Sequence, residues 1–188
     1  MTEAKRQLEI LSNTDRLTNL ANRHYFNCMF LNEWNRGCRN RNPLSLIMSD
    51  VDYFKKFNDH YGHLTRDACF QTLSHSLSQV RQPSWRIDSH YGGDEFVILL
   101  PHTDKVAAFE TAQQIKQIII SLAILHGKNN TGIIGISIGI ASLLPSEQYS
   151  HEKLLLQADE SALSGIPFCC SCIAIALSES NIIISPAI

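Results

Sequence analysis

Two glycines followed by two carboxylates, Gly92-Gly93-Asp94-Glu95, stand directly before the apolar run Phe96-Val-Ile-Leu-Leu100. Glycine reaches backbone angles closed to other residues, so the pair predicts a tight turn, and the run behind it predicts a buried strand. Residues 84–90 supply the preceding strand, which makes the whole a hairpin with Asp94 and Glu95 at its tip. A second apolar run, Leu44-Ser-Leu-Ile-Met-Ser-Asp50, also ends on a carboxylate and reads as another buried strand. If the two strands are neighbours, Asp50 and Asp94 share a hard cation such as magnesium through oxygen ligands. Glu95 then contacts a second metal or helps to position an attacking hydroxyl. Taken alone, the pentapeptide also fits a plain Asp/Gly hairpin turn.

Around these strands the pattern alternates. Residues 2–11 form a helix with Ala4, Leu8 and Leu11 on one side, and Ser12 to Asp15 supply caps. Asn22 starts a helix carrying Phe26, Met29, Phe30, Glu33 and Trp34, which Gly37 and the Asn/Arg-rich stretch to Pro43 end. Further helices are predicted over 65–80, 104–125 and 151–163, with a strand over 132–141 despite its glycines. Such alternation favours one α/β layer structure over a bundle or a sandwich.

Composition narrows the function classes. With 44% apolar residues in 188, the chain can bury a core. Its 16 Lys and Arg against 18 Asp and Glu give a net charge of -2, so no broad basic field points to nucleic acid. No apolar run is long enough to cross a bilayer as a helix, and the polar opening Met1 to Glu9 lacks a signal-peptide core, so the expected location is cytoplasmic. The six cysteines show no zinc-finger spacing. Cys28, Cys38 and Cys69 are expected as reduced thiols, while Cys169, Cys170 and Cys172 sit in an apolar stretch without matching histidines or carboxylates.

The segment Asp50-Val-Asp-Tyr-Phe-Lys-Lys-Phe-Asn-Asp59, continuing through His60-Tyr-Gly-His63, carries the other chemistry. Lys55 and Lys56 balance phosphate charge, and Asn58 offers both a donor and an acceptor to a base edge. A charged surface loop with helical caps is the plain alternative. His60 and His63 suggest a transition metal, which their loop setting and the surrounding carboxylates disfavour.

Together with Asp15-Arg-Leu-Thr-Asn-Leu-Ala-Asn-Arg23, Ser137-Ile-Gly139 and Ala158-Asp159, these ordered motifs closely resemble the GGDEF domain family of diguanylate cyclases over positions 12–163. The resemblance implies an α/β (α+β sandwich) fold like nucleotide cyclase and polymerase palm domains, with a central, mostly antiparallel sheet flanked by helices. It implies a nucleotidyltransferase that condenses two GTP into cyclic di-GMP and pyrophosphate with Mg2+ or Mn2+. A homodimer presents one GTP per subunit, and an upstream sensor or another signalling protein controls it. Carried over by position, Asp50, Asp94 and the Val51 carbonyl resemble the metal ligands. Glu95 resembles the second acidic residue, associated with metal binding or hydroxyl activation. Asn58 and Asp67 look like the guanine-recognition pair, and Phe54, Lys55, His63, Gly92 and Gly93 line or support the nucleotide pocket. The implied organisation is a helical lead over 1–11, the GGDEF domain over 12–165 and a divergent apolar tail over 166–188.

The chain departs from the family pattern at several positions. Arg66 replaces the glycine before Asp67, and His90 replaces the arginine two positions before the double glycine. No Lys or Arg follows Lys153, which removes the family's phosphate-contacting cations from that end. Pro83 and Arg86 occupy the places of the product-inhibition Arg-x-x-Asp, so inhibition through that site is not expected, and Arg81 and Asp88 are assigned to surface or loop roles. Two expectations therefore stand side by side: a working diguanylate cyclase, and a catalytically degenerate module acting through nucleotide or protein binding. The apolar end is open to packing back on the domain, to association or to aggregation.

Overall fold

The computed structural model describes residues 12–80, 86–165, 172–176 and 182–185. Within them one sheet holds β1 (Ala21–Asn22), β2 (Leu44–Val51), β3 (Ile87–Gly92), β4 (Glu95–Pro101), β5 (Ile136–Leu143), β6 (Ile173–Ala176) and β7 (Ile182–Ser185). The spatial order is β1-β3-β4-β2-β5-β6-β7. The centre is antiparallel, β2 lying between β4 and β5 with β3 beside β4, while β1 joins β3 and β6 joins β5 in parallel. β7 closes the row antiparallel to β6.

Among the described residues four helices cover the two faces: α1 (Arg23–Asn40), α2 (Phe54–Gln79), α3 (Lys105–Ser121) and α4 (His151–Gly165). Strand alternation sends Ile47, Val51, Phe96, Ile98, Ile136 and Ile138 to the face under α2 and α3, where they meet Phe57, Phe70, Leu73 and Ile115. Leu44, Leu46, Met48, Val97 and Leu99 go to the other face and meet Phe26, Phe30 and Trp34 of α1 and Leu154 and Ala158 of α4. Burial of both faces is why β2 and β4 read as continuous apolar runs rather than alternating ones. The mixed α/β, palm-like architecture with a mostly antiparallel sheet is the one the resemblance implied.

α4 lies unusually close to β5. A Cβ on Gly139 would stand 2.0 Å from the Ala158 carbonyl oxygen and 2.3 Å from the Ala162 nitrogen, so only glycine admits this packing.

Several boundaries differ from expectation for identifiable reasons. α1 runs through Gly37, which is buried, and stops where Arg41 turns left-handed at φ 55. The helix expected over 65–80 is present, resuming after a break at Gly62, whose angles are φ 79 and ψ 172, but α2 already starts at Phe54 with a helical segment where a loop was expected. α3 ends at Ser121, before Ala123 at φ 48. β5 starts at Ile136 because Gly132 belongs to a loop in which His126 N–H donates to the Gly132 carbonyl at 2.9 Å. β3 extends to Gly92, and residues 84 and 85 lie outside the described residues, as does the helix expected over 2–11. Of the outcomes open for the apolar end, residues 172–176 pack back: Cys172, Ile173, Ala174 and Ile175 are buried. Cys28, Cys38 and Cys69 are free thiols, as expected, and burial pushes Cys69 up to about 12, so it is a core residue rather than a nucleophile. Among the described residues no helix is long and apolar enough to cross a membrane.

Candidate active site

β2 delivers Asp50 to the end of the sheet, in register with Glu95 of β4 on one side and Ser137 of β5 on the other. Directly opposed residues place their Cβ atoms about 5 Å apart, so Asp50 and Glu95 stand side by side. The Val51 N–H donates to the Asp94 carbonyl at 3.3 Å, which ties the hairpin turn to the end of β2. Gly92 and Gly93 hold φ of 152° and 63°, and no atom lies within 4 Å of a Cβ built on either. Glycine is thus demanded at the turn by backbone angle rather than by crowding.

The electrostatics follow from this geometry. Burial pushes the Asp50 carboxyl up to about 7, helped by the negative charges of Asp94, Glu95, Asp52 and Asp159. Glu95 is raised by burial, Asp159 and Asp94, against the opposing pull of Arg23. The Arg23 guanidinium rests over the Tyr91 ring, 4.4 Å from its centroid. Among the described residues no group of three or more metal-ligating side chains converges on one point. That donor chemistry still fits magnesium, which takes one or two carboxylates and completes its shell with phosphate and water oxygens.

The loop behind Asp50 is firmly held. Asp52 is 4% exposed and accepts from the Ser137 hydroxyl at 2.6 Å. Tyr53 turns left-handed at φ 55, and its carbonyl faces Nε2 of the fully buried His126 at 3.3 Å. Burial lowers the His126 pKa, and its ring packs edge-on against Phe57 at 5.3 Å. Phe54 is itself a core ring, 4.5 Å from Phe70, so it underpins α2.

The remaining residues singled out in the sequence all lie on α2. Lys55 and His63 are exposed, and Asn58 is half-buried with its Oδ1 enclosed and without a hydrogen-bond partner among the described residues. Asp67 is held by its neighbour Arg66, whose Nη2 lies 2.8 Å from Oδ1. The structure thus gathers Asp50, Val51, Asp94 and Glu95, while Asp67 pairs locally. His90 turns inward: Nδ1 is 3.1 Å from Asp15 Oδ1 and Nε2 is 3.4 Å from the Gly93 carbonyl oxygen.

Asp88 does not take the surface role expected of it. It pairs with Arg86, whose side chain is fully buried, and the Arg86 Nη1 and Nη2 atoms have no hydrogen-bond partner among the described residues. Sequence reasoning also passed over Arg23, Asp52, His126 and Asp159 as contributors to this region. Asp159 and Arg23 stood in quoted motifs, and Asp52 alternated with Asp50, but only the packed sheet shows which carboxylates share a field.

A palm-like sheet that ends in clustered carboxylates on a glycine hairpin defines a nucleotide-cyclase type of domain. Residues 12–164 match the family described as "Diguanylate cyclase, GGDEF domain", and the chain belongs to it. It is 33% identical over 153 residues to the response regulator PleD of Caulobacter vibrioides, covering 80% of this chain and 33% of that one. It is 29% identical over 163 residues to the probable diguanylate cyclase DgcC of Escherichia coli K12, covering 87% and 43%. The chain therefore spans less than half the length of these curated relatives. Among solved structures, the coiled coil and GGDEF domain of DgcB from Caulobacter crescentus, in complex with c-di-GMP, aligns with a TM-score of 0.83 at 26% identity over 93% of this chain and 91% of that one. The active GGEEF domain of a Vibrio cholerae diguanylate cyclase aligns with a TM-score of 0.74 at 27% identity, covering 85% and 99%.

Proposed function

We propose that the domain is a diguanylate cyclase in which two GTP molecules, one on each subunit of a homodimer, are joined into cyclic di-GMP with release of pyrophosphate. The observation that carries this reading is the clustering of carboxylates at the sheet end, where Asp50 stands in register with Glu95 and the Val51 N–H ties the Asp94 turn to β2. In this reading Asp50 and Asp94, with the Val51 carbonyl and Glu95, hold Mg2+ or Mn2+. The bound cation supplies charge stabilisation at the transferring phosphate. Gly92 and Gly93 form the turn beside the phosphates, and Glu95 stands where a carboxylate can orient the attacking 3'-hydroxyl. Asn58 and Asp67 read the base, the Asn58 amide offering both a donor and an acceptor to its edge. Phe54 fixes the start of α2, and Lys55 and His63 stand toward the nucleotide. Bringing two substrates face to face makes dimerisation part of the reaction geometry. Residues 12–165 form the catalytic domain, 1–11 the lead toward an upstream sensor or other signalling protein, and 166–188 the tail.

The deciding experiment incubates purified protein with GTP and magnesium, resolves the products by chromatography and records the oligomeric state. Cyclic di-GMP from the parent and none from Asp94→Ala supports the cyclase. Asn58→Ala weakens GTP binding about tenfold, as loss of a buried hydrogen bond to a base predicts. Equal affinities of the parent for GTP and ATP rule out a guanine pocket. A second reading, a GTP-binding module without turnover, draws on His90 being tied to Asp15 and the Gly93 carbonyl and on the lack of any Lys or Arg after Lys153. A folded dimer that binds GTP but makes no product selects it.

A further inference from the structure

Arg66 stands in a relation to its neighbour that a glycine could not reproduce. Its Nε and Nη2 both donate to one oxygen of Asp67, Oδ1, at 3.0 and 2.8 Å. A carboxylate oxygen offers about two acceptor positions, so Oδ1 is filled and Oδ2 receives neither donor. The two side chains are 36% and 39% exposed, so the pair sits where a solute can reach it. Asn58, on the helical segment before the break at Gly62, keeps a buried Oδ1 without a partner among the described residues.

Guanine presents two neighbouring donors on one edge, the N1–H and the 2-amino group, which an unencumbered carboxylate takes with both oxygens at once. We propose that Arg66 is a specificity-determining residue: by filling Oδ1 of Asp67 it leaves one carboxylate oxygen for the base, so the pocket reads a single guanine donor there. The inference rests on the GTP-binding reading above. Its consequence is relaxed selection for the 2-amino group, so that the hypoxanthine nucleotide ITP, which keeps N1–H and lacks the amine, competes with GTP. The effect is bounded, because exposed ion pairs shift an equilibrium by no more than about fivefold.

The test measures dissociation constants of GTP and ITP on the full chain, by displacement of a fluorescent GTP analogue in magnesium buffer. Variants are Arg66→Ala, Arg66→Lys, Asp67→Asn and Asn58→Ala. The parent is expected to bind the two nucleotides within about threefold of each other, and Arg66→Ala to tighten GTP by about three- to fivefold while moving ITP by less than twofold. Arg66→Lys, with one ammonium in place of a two-pronged guanidinium, falls between them. Alanine is the best helix former, and Arg66→Gln is read in the same way should Arg66→Ala fail to fold. An unchanged GTP-to-ITP ratio on removing Arg66, with GTP binding still lost in Asp67→Asn or Asn58→Ala, overturns the role of Arg66 alone. GTP binding indifferent to both Asp67→Asn and Asn58→Ala removes the base-pocket reading, and this proposal with it.

Discussion

Asp15 and Asp50 are carboxylates attached to the same hairpin, and the fold treats them in opposite ways. Asp15 accepts from the Thr18 N–H and hydroxyl at 2.9 and 2.8 Å and faces His90 at 3.1 Å. Burial alone raises its pKa, but the Thr18 bonds and His90 outweigh that and hold it below the ordinary value. Asp50 is buried more deeply beside Asp94, Glu95, Asp52 and Asp159, and is pushed up to about 7. One carboxylate is a joint, satisfied by its own chain. The other faces four carboxylates that Arg23 and Ser137 relieve only in part, at Glu95 and Asp52, the arrangement characteristic of groups that meet a ligand.

That contrast can be broken or sharpened by experiment. The largest effect is expected at the tip: under the proposed cyclase reading Asp94→Ala reduces cyclic di-GMP formation by at least about a hundredfold, since the metal site proposed there would contribute several kcal/mol to the transition state. A melting temperature near the parent's must accompany it, and a near-parental rate rejects the assignment. Asp50→Asn comes next, acting on stability. A carboxyl raised in the folded state contributes fully below the ordinary carboxylate range, and that contribution is lost as pH rises through about 7. Without divalent cation the substitution therefore stabilises the protein at pH 8 by about 1–2 kcal/mol, discounted for solvent access, and changes little near pH 4. Urea unfolding at the two pH values checks this, and destabilisation at pH 8 contradicts the picture of an only partly relieved charge.

Asp15→Ala should act in the opposite sense, lowering stability at neutral pH by about 1 kcal/mol through loss of the Thr18 and His90 bonds. Because the Asp15 pKa is depressed, its contribution is present above the ordinary range and disappears on acidification through the lowered value. The gap between parent and variant accordingly closes in acid, and a gap independent of pH would assign the loss to packing instead. The smallest effect is expected at the pair Arg36–Glu33, 3.5 Å apart one turn along α1, in which the Arg36 side chain is 51% exposed. Arg36→Ala changes stability by less than about 0.5 kcal/mol in thermal unfolding, a baseline for an ion pair with no further role.

Much of this organisation is legible in the order of residues. The apolar runs of β2 and β4 announce buried strands because both sheet faces are covered, and Asn22 and Asp104 mark helix starts that the structure confirms through bonds from the Tyr25 and Ala107 N–H groups. The beginning of α2 was illegible for a local reason. Gly62 and the polar stretch from Lys55 to His63 look like a loop, whereas tertiary packing of Phe54 and Phe57 against Phe70, Tyr61 and His126 holds that stretch helical. Arg86 and Asp88 carry no pattern that separates a buried pair from two surface charges.

By itself the sequence determined the kinds of element and the chemistry at their ends, because apolar periodicity, glycine turns and carboxylate placement are properties of short windows. It also determined membership of the GGDEF family, since the motifs occur in order along one chain. Tertiary structure alone decided which charges meet. Asp50 lies opposite Glu95 through strand register, and Asp159 joins their field from α4 because Gly139 lets that helix approach. The reason is one of range: Coulomb fields and hydrogen bonds depend on distances in space, and distances between residues far apart in the chain exist only once the sheet has formed.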